Sequence, residues 1–273
     1  MLKGTSYFRA IIFLFLILLP VETAAQMLRP ARSVYELKLD QSRKNPGIDA
    51  AKGRLVVELL ESCDGFIFNQ GFISKITSDV GPDIFGDMQA SVWESRDGRT
   101  VRFNLLNRIN GKISDQEQGR AGLDSQGAGS AAWQLPKTRE LALPKGTIFP
   151  ISHNRIVLEH ALRGSRGFEV ALFDGSYDAG YYLASAVIGN RTDQGRTDRK
   201  QGEGKNLLAK DLSSWPVRLA YYHHDSRLGV PDFEVGFTLY SDGVVDDLVL
   251  DYPEFGLTGR LVQLQYFDRP ACD

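Results

Sequence analysis

The chain has 273 residues, of which 42% are hydrophobic, 24% charged and 10% aromatic, a composition typical of a globular protein rather than of a disordered chain or a collagen-like rod. The formal net charge is -2, with 32 lysine and arginine residues against 34 acidic ones, so the basic excess of a general nucleic-acid-binding protein is missing. The sequence has 2 cysteines, too few for a cysteine-rich zinc site or an iron–sulfur cluster.

The N-terminal segment has the pattern of a secretory signal peptide. Lys3 and Arg9 precede an unbroken run of ten apolar residues, 10–19, and small residues follow at 23–25. Ten apolar residues form about 15 Å of helix, which is half of the roughly 30 Å that a membrane span needs. We therefore expect cleavage after Ala25, and an uncleaved membrane anchor is the alternative interpretation.

Cleavage would leave one exported domain. Residues 1–25 would be the signal peptide, and residues 26–273 show no internal repeat or change of composition that would divide them. No later apolar stretch is long enough to span a membrane as a helix. Exported proteins with one pair of cysteines usually form a disulfide, so we expect a bond between Cys63 and Cys272 that closes a loop of about 209 residues. A redox-active pair would instead favour a close Cys-x-x-Cys motif.

In most of the chain, apolar residues alternate with polar ones, as they do in strands with one buried face. Tight hairpins are predicted at Asp97-Gly98 and Asp242-Gly243, and turn signals recur roughly every 8–12 residues. This pattern predicts an all-β fold, either an antiparallel barrel or a sandwich. The predicted strands lie at 34–40, 55–59, 91–95, 101–105, 168–172, 217–221, 233–239, 248–252 and 257–267.

One amphipathic helix interrupts the strands. Pro150 is expected to begin it, Ser152 to act as its N-cap and Gly164 to follow its end, with an apolar stripe at helical spacing between them. Such a helix in an all-β chain packs on the sheet or fills its mouth. Two polar stretches, 116–129 and 190–210, are predicted loops. The second is interpreted as a solvated loop rather than a phosphate-binding patch, because its charges nearly balance.

The sequence carries no recognisable catalytic or metal-binding motif. The nucleophile elbow, the Ser-x-x-Lys motif, the Walker loop and the dinucleotide fingerprint are all missing. The four histidines include no His-Glu-x-x-His pair, and His223 and His224 are expected to point to opposite faces of a strand. His153 and His160 fall in the predicted helix and fit ordinary packing or capping. We therefore expect no catalytic residues, no metal and no cofactor, with an envelope hydrolase as a minor alternative.

Six aromatic residues lie on the alternating faces of the predicted strands. Two interpretations fit them: packing in a core, or lining an apolar cavity, because barrels of this size can enclose a ligand. The sequence does not separate the two, since the face that each residue occupies depends on strand register. The candidate lining residues are Trp93, Phe103, Tyr221, Phe233, Phe237 and Tyr252.

Several short motifs occur in order over nearly the whole mature chain. They are Glu61–Phe66, Val92–Glu94 with Asp97-Gly98, Leu143–Pro150 with His153, Phe173–Gly175, Trp215–Arg218, Pro231–Val235 and Pro270–Cys272. In these motifs the chain resembles the EipB family of periplasmic envelope-integrity proteins from Gram-negative bacteria, long catalogued as a domain of unknown function. The polar stretch at 190–210 is longer than the resemblance would suggest, and nothing is carried over onto it.

The resemblance implies a β-spiral, in which a long antiparallel sheet curls into an open barrel with a helix packed into it, and a disulfide between Cys63 and Cys272. It also implies a periplasmic, non-enzymatic role in maintaining the cell envelope, in partnership with a tetratricopeptide-repeat lipoprotein. Such spirals are similar in shape to periplasmic lipoprotein carriers that hold acyl chains. The expected function is therefore envelope integrity through binding of an envelope lipoprotein. The alternative is a lipid or lipoprotein carrier with an apolar cavity.

Overall fold

A computed structural model describes residues 28–79, 81–193, 208, 212–226 and 229–272 of the chain. This part contains one sheet of 15 strands and one helix, and the signal peptide predicted at residues 1–25 falls outside it. Within the described ranges, no helix combines the length and the apolar content that crossing a membrane would require. The elements are β1 (Ala31–Leu39), β2 (Ile48–Glu61), β3 (Gly65–Ser78), β4 (Ile84–Ser95), β5 (Thr100–Ile109), β6 (Lys112–Leu123), β7 (Gly129–Leu135), β8 (Arg139–Leu143), β9 (Thr147–Ile148), α1 (Pro150–Leu162), β10 (Gly167–Leu172), β11 (Tyr182–Ile188), β12 (Ser214–His223), β13 (Phe233–Tyr240), β14 (Val245–Asp251) and β15 (Gly256–Tyr266).

The order of strands in the sheet follows the chain in two antiparallel runs. Strands β1 to β8 form one run and β10 to β15 form the other, and β1 joins them by pairing with β15. The short strand β9 lies at the far edge and pairs in parallel with β10. A twisted sheet of this many strands curls rather than staying flat. The predicted all-β fold, a long antiparallel sheet curled into an open barrel with one packed helix, is therefore confirmed.

The alternation in the sequence identifies the inner face of the sheet correctly. Tyr35, Leu37 and Leu39 of β1 are buried, whereas the residues between them are exposed. Both predicted tight hairpins also form. Gly98 and Gly243 occupy their turns at φ +69° and +89°, a conformation that glycine adopts without strain.

The loop predicted at 116–129 is wrong, because β6 and β7 occupy all of it except a short turn. The middle of the inner face of β6 carries the small residues Gly119 and Ala121 instead of large apolar ones, and this hides the alternation. At Gly119, a Cβ atom would lie 2.6 Å from the ring of Phe103 and 2.4 Å from the carbonyl oxygen of Ala132. The packed rings therefore require glycine in a strand, where a sequence pattern favours a loop.

The second predicted loop, 190–210, can be compared only in part, because residues 194–207 and 209–211 lie outside the described residues. Leu208 is described, and it is buried in a core cluster that includes Tyr35 of β1. The stretch is therefore not solvated throughout. One of its apolar side chains contributes to the core.

Helix α1 lies inside the curled sheet. Its residues Val157 and Leu158 are buried in a core cluster that includes Trp215 and Leu219 of β12. Gly164 follows the helix at φ +74°, as predicted. The helix thus fills part of the interior rather than covering the outside of the sheet.

The two ends of the curled sheet, near the edge strands β8 and β9, meet along a line called the seam, where several contacts join them. The amide of Thr147 in β9 donates a hydrogen bond to the carbonyl oxygen of Gly127, in the turn between β6 and β7, at 3.1 Å. The loop between β10 and β11 packs across β7, where the indole Nε1 of Trp133 donates to the carbonyl oxygen of Gly175 at 2.9 Å. Trp133 also packs edge-on against Phe173, with ring centroids 5.5 Å apart. These contacts nearly close the spiral.

The predicted disulfide between Cys63 and Cys272 is present, with Cα atoms 5.5 Å apart. Cys63 lies in the turn between β2 and β3, and Cys272 follows β15. Strand β1 is the neighbour of both β2 and β15 in the sheet, so the bond links the two strands that flank it. The end of the chain is thereby tied to the first half of the sheet.

Candidate functional site

A run of aromatic rings extends along the inner face of the sheet. Tyr221 of β12 and Phe233 of β13 face each other on neighbouring strands and stack with ring centroids 4.5 Å apart. Phe233 lies 6.0 Å from Tyr252, just after β14, and Tyr252 lies 5.2 Å from Phe255. Because side chains alternate across a strand, the register of β12 and β13 places the first two rings on one face. These rings and the ones that continue them towards the helix are called the ring run below.

The ring run continues to the helix. The ring of Tyr221 lies 6.4 Å from that of His153 in α1, and His153 lies 6.1 Å from Phe168 in β10. Tyr182 of β11 meets Tyr221 edge-on at 6.0 Å. Tyr182, Tyr221 and Phe233 each keep part of their surface exposed. The result is an apolar path from the helix to the turn between β14 and β15.

Two hydroxyl groups give this path a polar component. Burial raises the pKa of Tyr182 and of Tyr221 well above the ordinary tyrosine value, and the negative charge of Asp174 adds to the rise. Burial also raises the pKa of the Asp174 carboxyl group. Both tyrosine hydroxyls therefore stay protonated and can donate a hydrogen bond. Apolar rings with neutral donors suit an apolar molecule that has one polar end.

His153 makes the stability of the protein depend on pH. Its ring is buried, and the loss of solvation lowers its pKa to about 4. In the unfolded chain the ring takes up a proton below about pH 6.5, so stability falls as the pH drops from there towards 4. His153→Phe removes this contribution. The free energy of unfolding of the variant, measured relative to that of wild type, should therefore be about 2.5 kcal/mol higher at pH 4.5 than at pH 7. Urea unfolding at both pH values measures this gain, and an unchanged difference between the proteins would contradict the prediction.

Glu94 of β4 points inward and holds the start of the helix. Its carboxylate accepts hydrogen bonds from the backbone amides of Ile151 and Ser152, at 2.8 and 2.9 Å, and from the Ser152 hydroxyl. The predicted N-cap role of Ser152 is wrong, because the N-cap is Phe149, which has no side-chain acceptor. A carboxylate from another element satisfies the free amides instead. Burial raises the pKa of Glu94, and these hydrogen bonds oppose the rise.

The sequence contains a signal for this contact, although it belongs to no known motif. Val92 and Glu94 share the inner face of β4, so Glu94 is a charged residue at a position that the alternation assigns to the core. A buried carboxylate needs hydrogen-bond donors. Which donors it meets could not be read from the sequence, because only the curled sheet brings β4 to the helix.

The structure brings three of the six predicted cavity residues together. Tyr221, Phe233 and Tyr252 form the middle of the ring run. Phe237 lies further along β13, half-buried, and packs against two core clusters. Ligand binding by these four residues stays a prediction.

The other two candidates lie elsewhere, so the six do not line one cavity. Phe103 is buried in an aromatic cluster with Trp133 and Phe173 at the seam, where it packs edge-on against both. Trp93 lies on the outer face of β4, because its neighbours Val92 and Glu94 point inward. Strand register, which the sequence left open, decides both positions.

A separate polar cluster lies at the end of β12. His223, His224 and Asp225 bring ligand atoms within 4.8 Å of one another, and the two imidazole rings stack. The expectation that the histidines point to opposite faces is wrong, because β12 ends at His223 and the chain turns there. The Nδ1 atom of His224 lies 3.0 Å from the carbonyl oxygen of Ala179, and that of His223 accepts a hydrogen bond from the Asp225 amide. These contacts account for the cluster, and we assign no metal to it.

The fold and the ring run define the class of the protein: a β-barrel-like protein whose curled sheet encloses a helix and an apolar interior. The chain belongs to the EipB-like family, whose model matches residues 22–268, so the resemblance carried by the sequence motifs is confirmed. It is similar to the cell envelope integrity protein EipB of Brucella abortus (strain 2308), with 32% identity over 248 residues that cover 90% of this chain and 86% of that protein.

A solved structure is similar over almost its full length. It is the crystal structure of a β-barrel-like protein, a domain of unknown function from Brucella abortus, with a TM-score of 0.77 and 29% sequence identity. The similarity covers 89% of this chain and 99% of that one. The curled sheet is therefore shared with a relative.

Proposed function

We propose that this protein maintains the integrity of the cell envelope from the periplasm, without catalysis, by binding an envelope lipoprotein of the tetratricopeptide-repeat class. The observation that carries the envelope role is the similarity of 90% of the chain to a protein that bears this name. The disulfide between Cys63 and Cys272 supports export, because such bonds persist in oxidising compartments.

The tips of two neighbouring hairpins support the protein-binding part of the proposal. Ile73, Phe85 and Ile113 are each more than 50% exposed, and strand register places all three on the outer face of the hairpins β3–β4 and β5–β6. The hairpins are tied together where the amide of Asn110 donates to the carbonyl oxygen of Phe85 at 2.8 Å. Several large apolar side chains exposed together usually mark an interaction surface. We propose that the lipoprotein docks on these three residues, the hairpin-tip patch.

Photo-crosslinking in intact cells tests this docking. A photoreactive residue at Phe85 or Ile113 should trap one envelope lipoprotein. The same residue at Val187, an exposed apolar position on β11 outside the patch, should trap none. A chromosomal Phe85→Ser, Ile113→Ser variant should be as sensitive to detergent as a deletion strain, with unchanged thermal stability. Full resistance of the variant, or an equal crosslink at Val187, would contradict the proposal.

The ring run favours a second candidate, a carrier of lipids or of lipoprotein acyl chains. Half-buried rings around Tyr221 and Phe233, with neutral hydroxyl donors beside them, match an acyl chain with a polar end. Native mass spectrometry of protein released gently from the periplasm distinguishes the two candidates. A bound acyl-chain mass that disappears in Phe233→Asp supports the carrier. A bare chain, together with the lipoprotein crosslink, supports the first candidate.

A further inference from the structure

The outer face of strands β1 to β7 carries two adjoining hollows, with volumes of about 520 and 430 Å³. Both are lined by Ser91 of β4 and Asn104 of β5, so together they form one groove, called the outer groove. It lies on the side opposite the core, because Val92 and Phe103, the neighbours of these two residues, are buried. At the usual spacing between strands, the groove is roughly 30 Å long.

Polar side chains form the floor of the outer groove, in register on neighbouring strands. Asn69 of β3 donates from Nδ2 to the carboxylate of Glu58 at 3.2 Å and accepts from the Ser91 hydroxyl at 2.8 Å. Asn104 and Gln118 continue the row, facing each other on β5 and β6. The row therefore offers both donors and acceptors to one side of the sheet, as a ligand rich in hydroxyl groups requires.

One large aromatic side chain stands beside this polar row. Trp93 of β4 is half-buried, and the guanidinium of Arg102 lies 5.1 Å from its ring centroid. At Gly65 on the neighbouring strand, a Cβ would lie 2.2 Å from the carbonyl oxygen of Glu94 and 3.1 Å from the indole Nε1, so glycine lets β3 approach this part of β4 closely. A sugar ring can pack its C–H face on such an indole while its hydroxyl groups bond to nearby amides. Tryptophan beside glutamine and asparagine thus points to a carbohydrate.

Two arginines of the outer groove form no direct ion pair within the described part of the chain. Arg102 and Arg120 are exposed and directly opposite each other on β5 and β6, a like-charged pair that costs stability. Neither forms an ion pair with any carboxylate that the structure describes. Elsewhere on the outer face, Arg218 lies 2.8 Å from both Glu234 and Asp251. The pair in the groove is therefore suited to a carboxylate brought by a ligand.

We propose that the outer groove binds a linear glycan that carries carboxylates. A sugar ring packs on Trp93, the polar row bonds to sugar hydroxyls, and Arg102 with Arg120 binds a carboxylate. The location rests on the proposed function: in the periplasm, the polymer with this chemistry is peptidoglycan, whose glycan strands bear peptide stems with free carboxylates. The groove shares no residue with the ring run or the hairpin-tip patch.

Co-sedimentation of the mature protein with purified, insoluble peptidoglycan tests the proposal. Wild type should bind, and Trp93→Ala and the double variant Arg102→Gln, Arg120→Gln should each bind at least about tenfold more weakly, in line with loss of a charge-assisted contact or an aromatic platform. Arg54→Gln removes an exposed arginine of β2 that lines neither hollow, so it is the matched control and should bind like wild type. Equal melting temperatures exclude misfolding as the cause.

Chemical modification of the peptidoglycan separates charge from sugar recognition. Amidated peptidoglycan should bind wild type as weakly as native peptidoglycan binds the double arginine variant. Failure of wild type to sediment, or wild-type binding by Trp93→Ala, would overturn the proposal. Tighter binding to vesicles of anionic phospholipid would overturn it as well, by assigning the groove to a membrane. If wild-type binding to peptidoglycan is observed but a photoreactive residue at Phe85 traps no lipoprotein, only the lipoprotein proposal is overturned.

Discussion

Cys63→Ser is expected to lower the free energy of unfolding by about 2–5 kcal/mol under oxidising conditions. The bond joins positions 209 residues apart, so it restricts the unfolded chain strongly. The chain-entropy model gives about 5 kcal/mol for a loop of this length. Glu61, two residues before Cys63, also forms ion pairs with Arg96 at 2.9 Å and with Arg269 at 3.5 Å. Urea unfolding without reductant measures the loss.

The redox state provides the control for this prediction. Cys272→Ser should unfold at the same urea concentration as Cys63→Ser, because either change removes the same bond. A reductant should destabilise wild type to the level of the variants and leave both variants unchanged. Identical unfolding of oxidised and reduced wild type would show that the bond does not stabilise the fold.

Glu94→Ala should lower the free energy of unfolding by about 3–4 kcal/mol, because it leaves the two amides that the carboxylate satisfies without an acceptor in a buried place. The start of α1 would then lose the hydrogen bonds that Glu94 provides from β4. Hydrogen exchange should show faster exchange of the amides of Ile151 and Ser152. Urea unfolding gives the change in stability.

Two further variants separate the cap from general effects of removing a side chain. Ser152→Ala removes only the hydroxyl that bonds to Glu94 and should cost about 1 kcal/mol. Glu36→Ala removes an exposed carboxylate of β1 and should stay within about 0.5 kcal/mol of wild type. If Glu94→Ala were as stable as Glu36→Ala, the carboxylate would have no role in holding the helix.

Several expectations failed for one shared reason: each feature depends on a partner far away in the chain. Gly119 made a strand resemble a loop, because the ring of Phe103 lies where a side chain would otherwise be. Ser152 was not the N-cap, since a carboxylate from β4 occupies the end of the helix. Trp93 and Phe103 lie apart from the other candidate residues, because Trp93 is on the outer face of β4 and the curl of the sheet brings Phe103 to Trp133 and Phe173.

The sequence by itself determined the features that depend on neighbouring residues. Alternation in β1 and β13, the glycine turns at Gly98 and Gly243 and the end of the helix at Gly164 all follow from local chemistry. The disulfide could also be predicted, because a chain with two cysteines has a single possible internal pairing. The motifs and their order along the chain were sufficient to identify the family.

Only the tertiary structure decided which residues act together. The ring run joins α1 and strands β10 to β13, and the outer groove joins side chains from seven strands, so neither can be seen in any single segment. Both depend on the register between strands and on the curl of the sheet. Register shifts by one residue would exchange the inner and outer faces, and the curl arises from twist summed over 15 strands. These are properties of the whole sheet, which local patterns of residues do not contain.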